Sequence, residues 1–377
     1  MKLYQRMLLI LLSCFISSVF GQAPKETEKS HWGSTPQRDL SAMAQPIPLN
    51  NTFRDSLYNI WCGSVVKAKN GKFYMLYSRW PRDKGHEAWI THSEIALARA
   101  DRPEGPYRHV KVVFPARGNQ FWDGVCTHNP AVIVYKNKFY LYYMGSTGKS
   151  YVKPHTSYEN PNWWEYRNNQ RIGVAVADDP EGEWTRCAQP ILDLSTDSTA
   201  HDALMVSNPA ITVDEKGQFI LVYKQVEKNG TIRGGRVRFG VAFSDAPTGA
   251  FVKHPQPIFE AEKGSKEWMV AEDPYLWHQQ GVNYAIVRDV VGKFTGESGA
   301  LALMISTNGF DWQPATYPKV LSKTVFWENG KPLDDKLERP CLYMEKGVPK
   351  LLFGAMGIDK RKHSMNVAVP LKYNRKK

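Results

Sequence analysis

Two short sequence elements alternate along this chain, and their repetition limits the fold more than any other feature. The first element occupies residues 64–77 (SVVKAKNGKFYMLY), 130–143, 209–223, 274–287 and 340–353. Each copy has two strand-like runs around a polar turn. The second element follows at 93–107, 171–184, 238–251 and 300–312, with a last strand of the same kind at 366–371 (NVAVPL). It reads as an alternating small and apolar strand, a Pro/Gly/Asp turn and an aromatic residue that opens another strand, the pattern of a β-hairpin. With Ser64, Pro130, Pro209, Pro274 and Pro340 as markers, the spacings are 66, 79, 65 and 66 residues. Repeats of one supersecondary unit stack against their neighbours to bury a shared core. Two hairpins per period and five periods predict an all-β, five-bladed β-propeller with four antiparallel strands per blade. A β-sandwich would not repeat one sheet five times.

The long second period places an insertion at 150–167 (SYVKPHTSYENPNWWEYR), which reads as a polar, aromatic loop rather than an added domain. Residues 1–21 have the form of a secretory signal: Lys2 and Arg6, an apolar run from 7 to 20, then small residues. The mature chain, 22–377, is expected to be one propeller domain with an irregular segment at 22–50, secreted or periplasmic. Leu11-Leu12-Ser13-Cys14 also resembles a lipobox, the less favoured alternative, which would leave a lipid anchor on Cys14. No later segment is long and apolar enough to span a bilayer.

Cys62, Cys126, Cys187 and Cys341 are too widely spaced for a disulfide framework or a zinc motif and are expected to be buried free thiols. The formal net charge of +12 comes from scattered residues apart from two C-terminal clusters. Without a basic stripe this argues against a nucleic-acid partner and suits a carbohydrate, including an anionic one.

In a propeller the innermost strand of each blade starts at the mouth where ligands bind. The residues just ahead of each marker are therefore the informative ones. They contain Trp61, Trp122, Asp123, His128, His201, Asp202, Glu272, Asp273, Glu338 and Arg339. Blades two and three repeat an Asp, five residues and Asn-Pro, at Asp123 and Asp202. Carboxylates converging from several blades suit glycoside cleavage, which needs a proton donor, a base or nucleophile, and partners that separate their pKa values. Arg339 beside Glu338 and Arg288 beside Asp289 read either as ion pairs or as clamps for a sugar carboxylate or sulfate. His128 and His201 are candidates for sugar hydroxyls. Trp61 and Trp122, with Trp268 and Trp277, offer flat faces for sugar stacking.

These residues resemble the five-bladed propeller glycosidases of families 43 and 117. Ala271-Glu272-Asp273-Pro274 resembles the Glu-Gly-Pro segment that carries the general acid. The resemblance spans nearly the whole mature chain and implies an inverting hydrolase, and the clustered mouth carboxylates with the signal sequence suggest an exo-acting hydrolase of a plant or algal glycan. Glu272 would be the acid and Asp202 would orient substrate, although Asn208 stands where that group often has Asp. Blade one reads Trp61-Cys62-Gly63-Ser64 where the relatives carry the basic Asp, so Asp123 or Asp55 would have to serve. That departure keeps two alternatives in play: a non-catalytic carbohydrate-binding propeller, or a phosphorylase or lyase on the same scaffold. No cofactor is expected. The relatives allow a structural calcium in the central channel, but no ligand motif here demands one.

Overall fold

The computed structural model describes residues 39–260 and 265–372. The signal sequence and Cys14 lie outside the described residues, as does most of the irregular N-terminal segment. The strand β1 (Thr52–Phe53) comes first in sequence but belongs to the last blade. Blade one contains β2 (Tyr58–Lys67), β3 (Phe73–Pro81), β4 (Glu94–Ala100) and β5 (Arg108–Phe114). Blade two contains β6 (Cys126–Tyr135), β7 (Lys138–Ser146), β8 (Arg171–Ala177) and β9 (Thr185–Arg186). Blade three is β10 (Met205–Val213), β11 (Phe219–Val226), β12 (Val237–Ser244) and β13 (Val252–Lys253). Blade four is β14 (Ala271–Gln279), β15 (Val282–Asp289), β16 (Leu301–Ser306) and β17 (Gln313–Leu321). Blade five is β18 (Glu338–Glu345), β19 (Val348–Ile358) and β20 (His363–Pro370), completed by β1 on its outer edge. The expected five-bladed propeller is therefore the observed fold. The pairing of β1 with β20, Thr52 opposite Val367 and Phe53 opposite Asn366, had no counterpart in the sequence reading.

The blades pack face to face, so the middle strands are buried on both sides. β7 and β15 show almost no in–out alternation for this reason. The largest apolar clusters lie between neighbouring blades. One joins Met75 and Tyr77 of blade one to Phe353 and Ala368 of blade five. Another joins Leu141 and Tyr143 of blade two to Tyr74 and Leu97 of blade one. Burying each such side chain contributes on the order of 1.5–3 kcal/mol.

Every inner strand carries the same irregularity. The register slips between Trp61 and Ser64, His128 and Ala131, Ser207 and Ala210, Glu272 and Tyr275, and Glu338 and Cys341. Within each slip one residue has a positive φ: Cys62 (55°), Asn129 (54°), Asn208 (50°), Asp273 (57°) and Arg339 (55°). A bulge bends its strand and re-aims the side chains beside it. Here it turns five residues toward the axis. None is glycine, so each holds a backbone conformation that L-residues rarely adopt.

Asp289 closes blade four in a different way. Its side chain is fully buried and accepts the backbone N–H groups of Gly292, Lys293, Phe294 and Thr295, and the Thr295 hydroxyl, all at 2.9 Å. It is a loop anchor rather than a partner for Arg288. Replacing it by Ala leaves several donors unsatisfied, and we expect Asp289→Ala to lose about 3 kcal/mol or more of stability in urea denaturation. A loss under 1 kcal/mol would contradict this role.

Candidate active site

One cavity of about 470 Å³ opens where the inner strands begin, within the roughly 300–1,000 Å³ typical of small-molecule sites. Each inner strand contributes the residue just before its bulge, or that residue's cross-strand partner. Trp61, His128, Glu272 and Glu338 line the cavity directly. In blade three the pre-bulge residue is Ser207, and its cross-strand partner Lys224 faces the cavity instead. Arg288 is in the same way the cross-strand partner of Glu272.

The axial residues join in a polar chain beneath this cavity. Cys62 Sγ lies 3.0 Å from the Asn129 carboxamide, which meets that of Asn208 at 2.6 Å. With its amide turned toward the neighbouring cations, the Asn208 oxygen accepts from Arg339 at 2.7 Å and from Lys224 at 3.1 Å. Arg339 also pairs with Asp273 at 3.1 Å. This set does not suit calcium, which takes six to eight oxygen ligands. It offers one carboxylate, already neutralised by a guanidinium.

Glu272 is held from two sides: Lys224 donates to Oε1 at 2.5 Å, and Arg288 donates to Oε2. Burial, with Arg339 nearby, pulls the Lys224 ammonium down to about 7. Glu338 accepts from Arg361 at 2.9 Å and pairs with Lys336 at 3.1 Å. The cations Arg288, Arg361 and Lys336 outweigh its burial and keep its carboxyl far below the usual range. Glu87 behaves in the opposite way. Among the described residues its carboxylate accepts only from Trp89 Nε1, at 3.2 Å, and burial pushes its pKa up. The cavity therefore sets a carboxyl whose pKa burial raises beside carboxylates tied to cations.

The structure separates the sequence candidates into two groups. Trp61, His128, Glu272, Asp273, Arg288, Glu338 and Arg339 line the cavity. Asp123, Asp202, His201 and Trp122 do not. Asp123 has a fully buried side chain that accepts from Arg117 Nε at 2.9 Å, Tyr143 Oη at 2.8 Å and Arg186 at 3.2 Å. Arg186 lies on the outermost strand of blade two. Trp122 stacks on Tyr143, and a Cβ on Gly173 would come within 2.5 Å of its ring. Asp202 pairs in the same manner with Lys253 on the outermost strand of blade three. The repeated Asp is thus a brace across the face of a blade. Asp55 accepts the backbone N–H groups of Leu57 and Tyr58 and also lies outside the cavity lining. His201 faces Glu227 at 3.2 Å, and Trp277 stacks on Tyr284. His128 is buried between Trp80 and Trp89 and hydrogen-bonds Ser93 Oγ at 2.7 Å. Burial, and Arg339 after it, hold it well below the ordinary histidine pKa, so it is neutral.

The sequence reading missed the wall formed by the connections of blades one and two. The segment read as a loop contains helix α3 (Pro161–Asn168), after α1 (Leu40–Met43) and α2 (Trp89–His92). Asn160 caps α3 and Pro161 opens it, a signal present in the sequence. Trp163 Nε1 donates to the Glu87 carbonyl at 3.2 Å, and Trp164 Nε1 donates to the Tyr158 carbonyl at 3.0 Å. Tyr158, Trp163, Trp164, Arg167 and Gln170 all reach the cavity.

No protein-family model matches the chain, and no curated protein sequence matches it. Solved structures do. A family 117 glycoside hydrolase, Zg3597, from the marine bacterium Zobellia galactanivorans shares 16% identity over 86% of this chain and 89% of its own, with a TM-score of 0.58. A structure described as a glycoside hydrolase shares 14% identity over 94% of this chain and 98% of its own, TM-score 0.62. An endo-arabinase from Bacteroides thetaiotaomicron shares 13% identity over 88% of this chain and 98% of its own, TM-score 0.52. The fold is that of the five-bladed propeller glycoside hydrolases.

Cys62 is the axial residue of blade one, and its thiol is pushed up to about 12 by burial and is no proton acceptor at neutral pH. Cys126 and Cys341 are likewise buried and pushed up, to about 12 and about 11, whereas Cys187 is half-buried. Among these four cysteines, in native protein at pH 8, we expect a disulfide reagent to label only Cys187, with the other three reacting only in guanidinium. Rapid labelling of two or more thiols would contradict the burial of the axis.

Proposed function

We propose that this protein is a secreted, exo-acting glycoside hydrolase that removes a terminal sugar from a plant or algal glycan. One observation carries the reading: acidic side chains from blades one, four and five meet an aromatic wall in a single cavity at the propeller mouth. The similarity of the fold to glycoside hydrolases supports it, and the wall of α2 and α3 favours a pocket for a chain end over an open groove.

Glu272 passes a proton from Lys224 to the leaving oxygen. Its partner Lys224 loses its own proton near pH 7 and can replenish the carboxylate through their 2.5 Å hydrogen bond. Glu87 is the base. Blade one supplies it from the connection after β3, in place of the acid absent at Cys62, and its raised pKa suits a group that takes a proton from water. Glu338 stays ionised and stabilises positive charge developing on the ring. Attack of that water opposite the leaving group gives inversion. The roles first assigned to Asp123 and Asp202 pass to these residues.

Release of monosaccharide from a panel of oligosaccharides tests the assignment. Glu272→Gln and Glu87→Gln should each lower kcat by about 10²-fold or more. Nitrophenyl glycosides, whose leaving group needs no proton, should restore Glu272→Gln but not Glu87→Gln. Equal rescue of both would reject the division of roles.

The pH profile gives a further check. Lys224 is charged below about pH 7 and neutral above it. Turnover should therefore fall as pH rises through about 7, and Lys224→Arg should move that limb up by roughly a unit or more. For stability the sign is reversed. The folded state holds the Lys224 proton less tightly than the unfolded chain, so this group's contribution to stability increases as pH rises from about 7 toward its usual range.

Cys62 and Asn208 support one other reading, a propeller that binds glycans without cleaving them. Measurable binding with no release from any substrate would favour it.

A further inference from the structure

Six cations line the cavity: Arg167, Lys224, Arg288, Lys336, Arg339 and Arg361. Five have a carboxylate partner. Lys224 and Arg288 hold Glu272, Arg339 holds Asp273, Lys336 holds Glu338, and Arg361 holds Asp335 and Glu338. Arg167 has none among the described residues. It is 6% exposed, and burial pulls its guanidinium down to about 10, still charged at neutral pH. Its Nη1 donates to Asn168 Oδ1 at 3.1 Å and to the Arg233 carbonyl at 3.4 Å. Its plane lies near the Trp164 ring, 5.6 Å from the centroid. Nothing supplies a counter-charge, and an uncompensated buried charge is costly.

A second donor stands beside it. Gln170 is 2% exposed, lines the same cavity, and its Nε2 has no hydrogen-bond partner among the described residues. Arg167 lies in the last turn of α3 and Gln170 just past its C-cap Asn169, and both line the same cavity. The same insertion thus delivers a guanidinium without a counter-ion and an amide N–H without an acceptor to one wall. An oxyanion satisfies both.

We propose that Arg167 and Gln170 form a subsite for an anionic group on the bound sugar, a uronate carboxylate or a sulfate ester. The proposal rests on the reading of the cavity as a sugar site and names the class of sugar that it takes. It differs from the clamp first considered at Arg288 and Arg339, because both of those guanidiniums are used internally.

Calorimetric titration of the purified protein tests it without requiring turnover. The probes are D-galacturonate, D-glucuronate and D-galactose 6-sulfate, against D-galactose and D-glucose. Charged sugars should bind about tenfold or more tighter than neutral ones, and Arg167→Met should erase that preference while leaving neutral affinity within about twofold. Gln170→Leu should weaken charged sugars by several-fold alone, and it reads the same preference if Arg167→Met does not fold. Removing a buried charge that has no partner should leave the melting temperature of Arg167→Met unchanged or higher, whereas a purely structural arginine would lower it. A preference for the sulfate or for the uronates identifies which group the subsite takes. Equal binding of charged and neutral sugars, or a preference that survives Arg167→Met, overturns the proposal. A charge preference in a protein with no turnover would sink the hydrolase reading alone. Turnover of neutral sugars without such a preference would sink this one alone.

Discussion

Each blade of a propeller has two apolar faces, and the next blade must cover each of them. This requirement makes the middle strands continuously hydrophobic and places the main apolar clusters between blades. It also brings five inner strands so close to one axis that their first residues meet. The bulge in every inner strand is the local answer to that crowding. It turns one residue per blade inward and leaves the residue before it facing the mouth. The cavity is thus a product of ring closure, and its chemistry depends on which side chains occupy the places that closure creates.

The fold was legible because its signal is repeated. Five copies of a two-strand element at similar spacing leave few architectures, and single turns or propensities could be misread without consequence. The site was legible only in part. Glu272, Glu338 and Arg339 could be found because they sit next to the prolines that mark each blade. Arg288 was singled out for its place beside Asp289, but Lys224 was not; both lie on second strands, and their place in the cavity follows from strand register, which the spacing of markers does not report. Glu87, Arg167 and Gln170 come from connections whose path depends on tertiary packing. Asn160-Pro161 announced a helix start, but nothing local said that the helix would turn its tryptophans toward blade one.

Asp123 and Asp202 show how repetition can mislead. Their shared pattern drew them into the proposed site, yet the same pattern recurs because the same mechanical task recurs: an acid ahead of the inner strand ties down a cation on the outer one. The candidate site breaks the symmetry of the repeat. Glu272 faces Lys224 and Arg288, whereas the equivalent places in blade one hold Trp61 and Ser78. In a protein built of repeated blades, the positions where blades disagree are the better guide to a site.

The pairing of β1 with β20 sets an order of events for the growing chain. Thr52 and Phe53 leave the ribosome early, and their partners Val367 and Asn366 are made more than 300 residues later. Through that interval blade five has its outer strand alone, and the first blade has no neighbour on one side. The ring cannot lock until β20 has been made. A chain cut short before β20 would lose the clasp as well as a strand, and would present an open edge to whatever proteases and chaperones it meets.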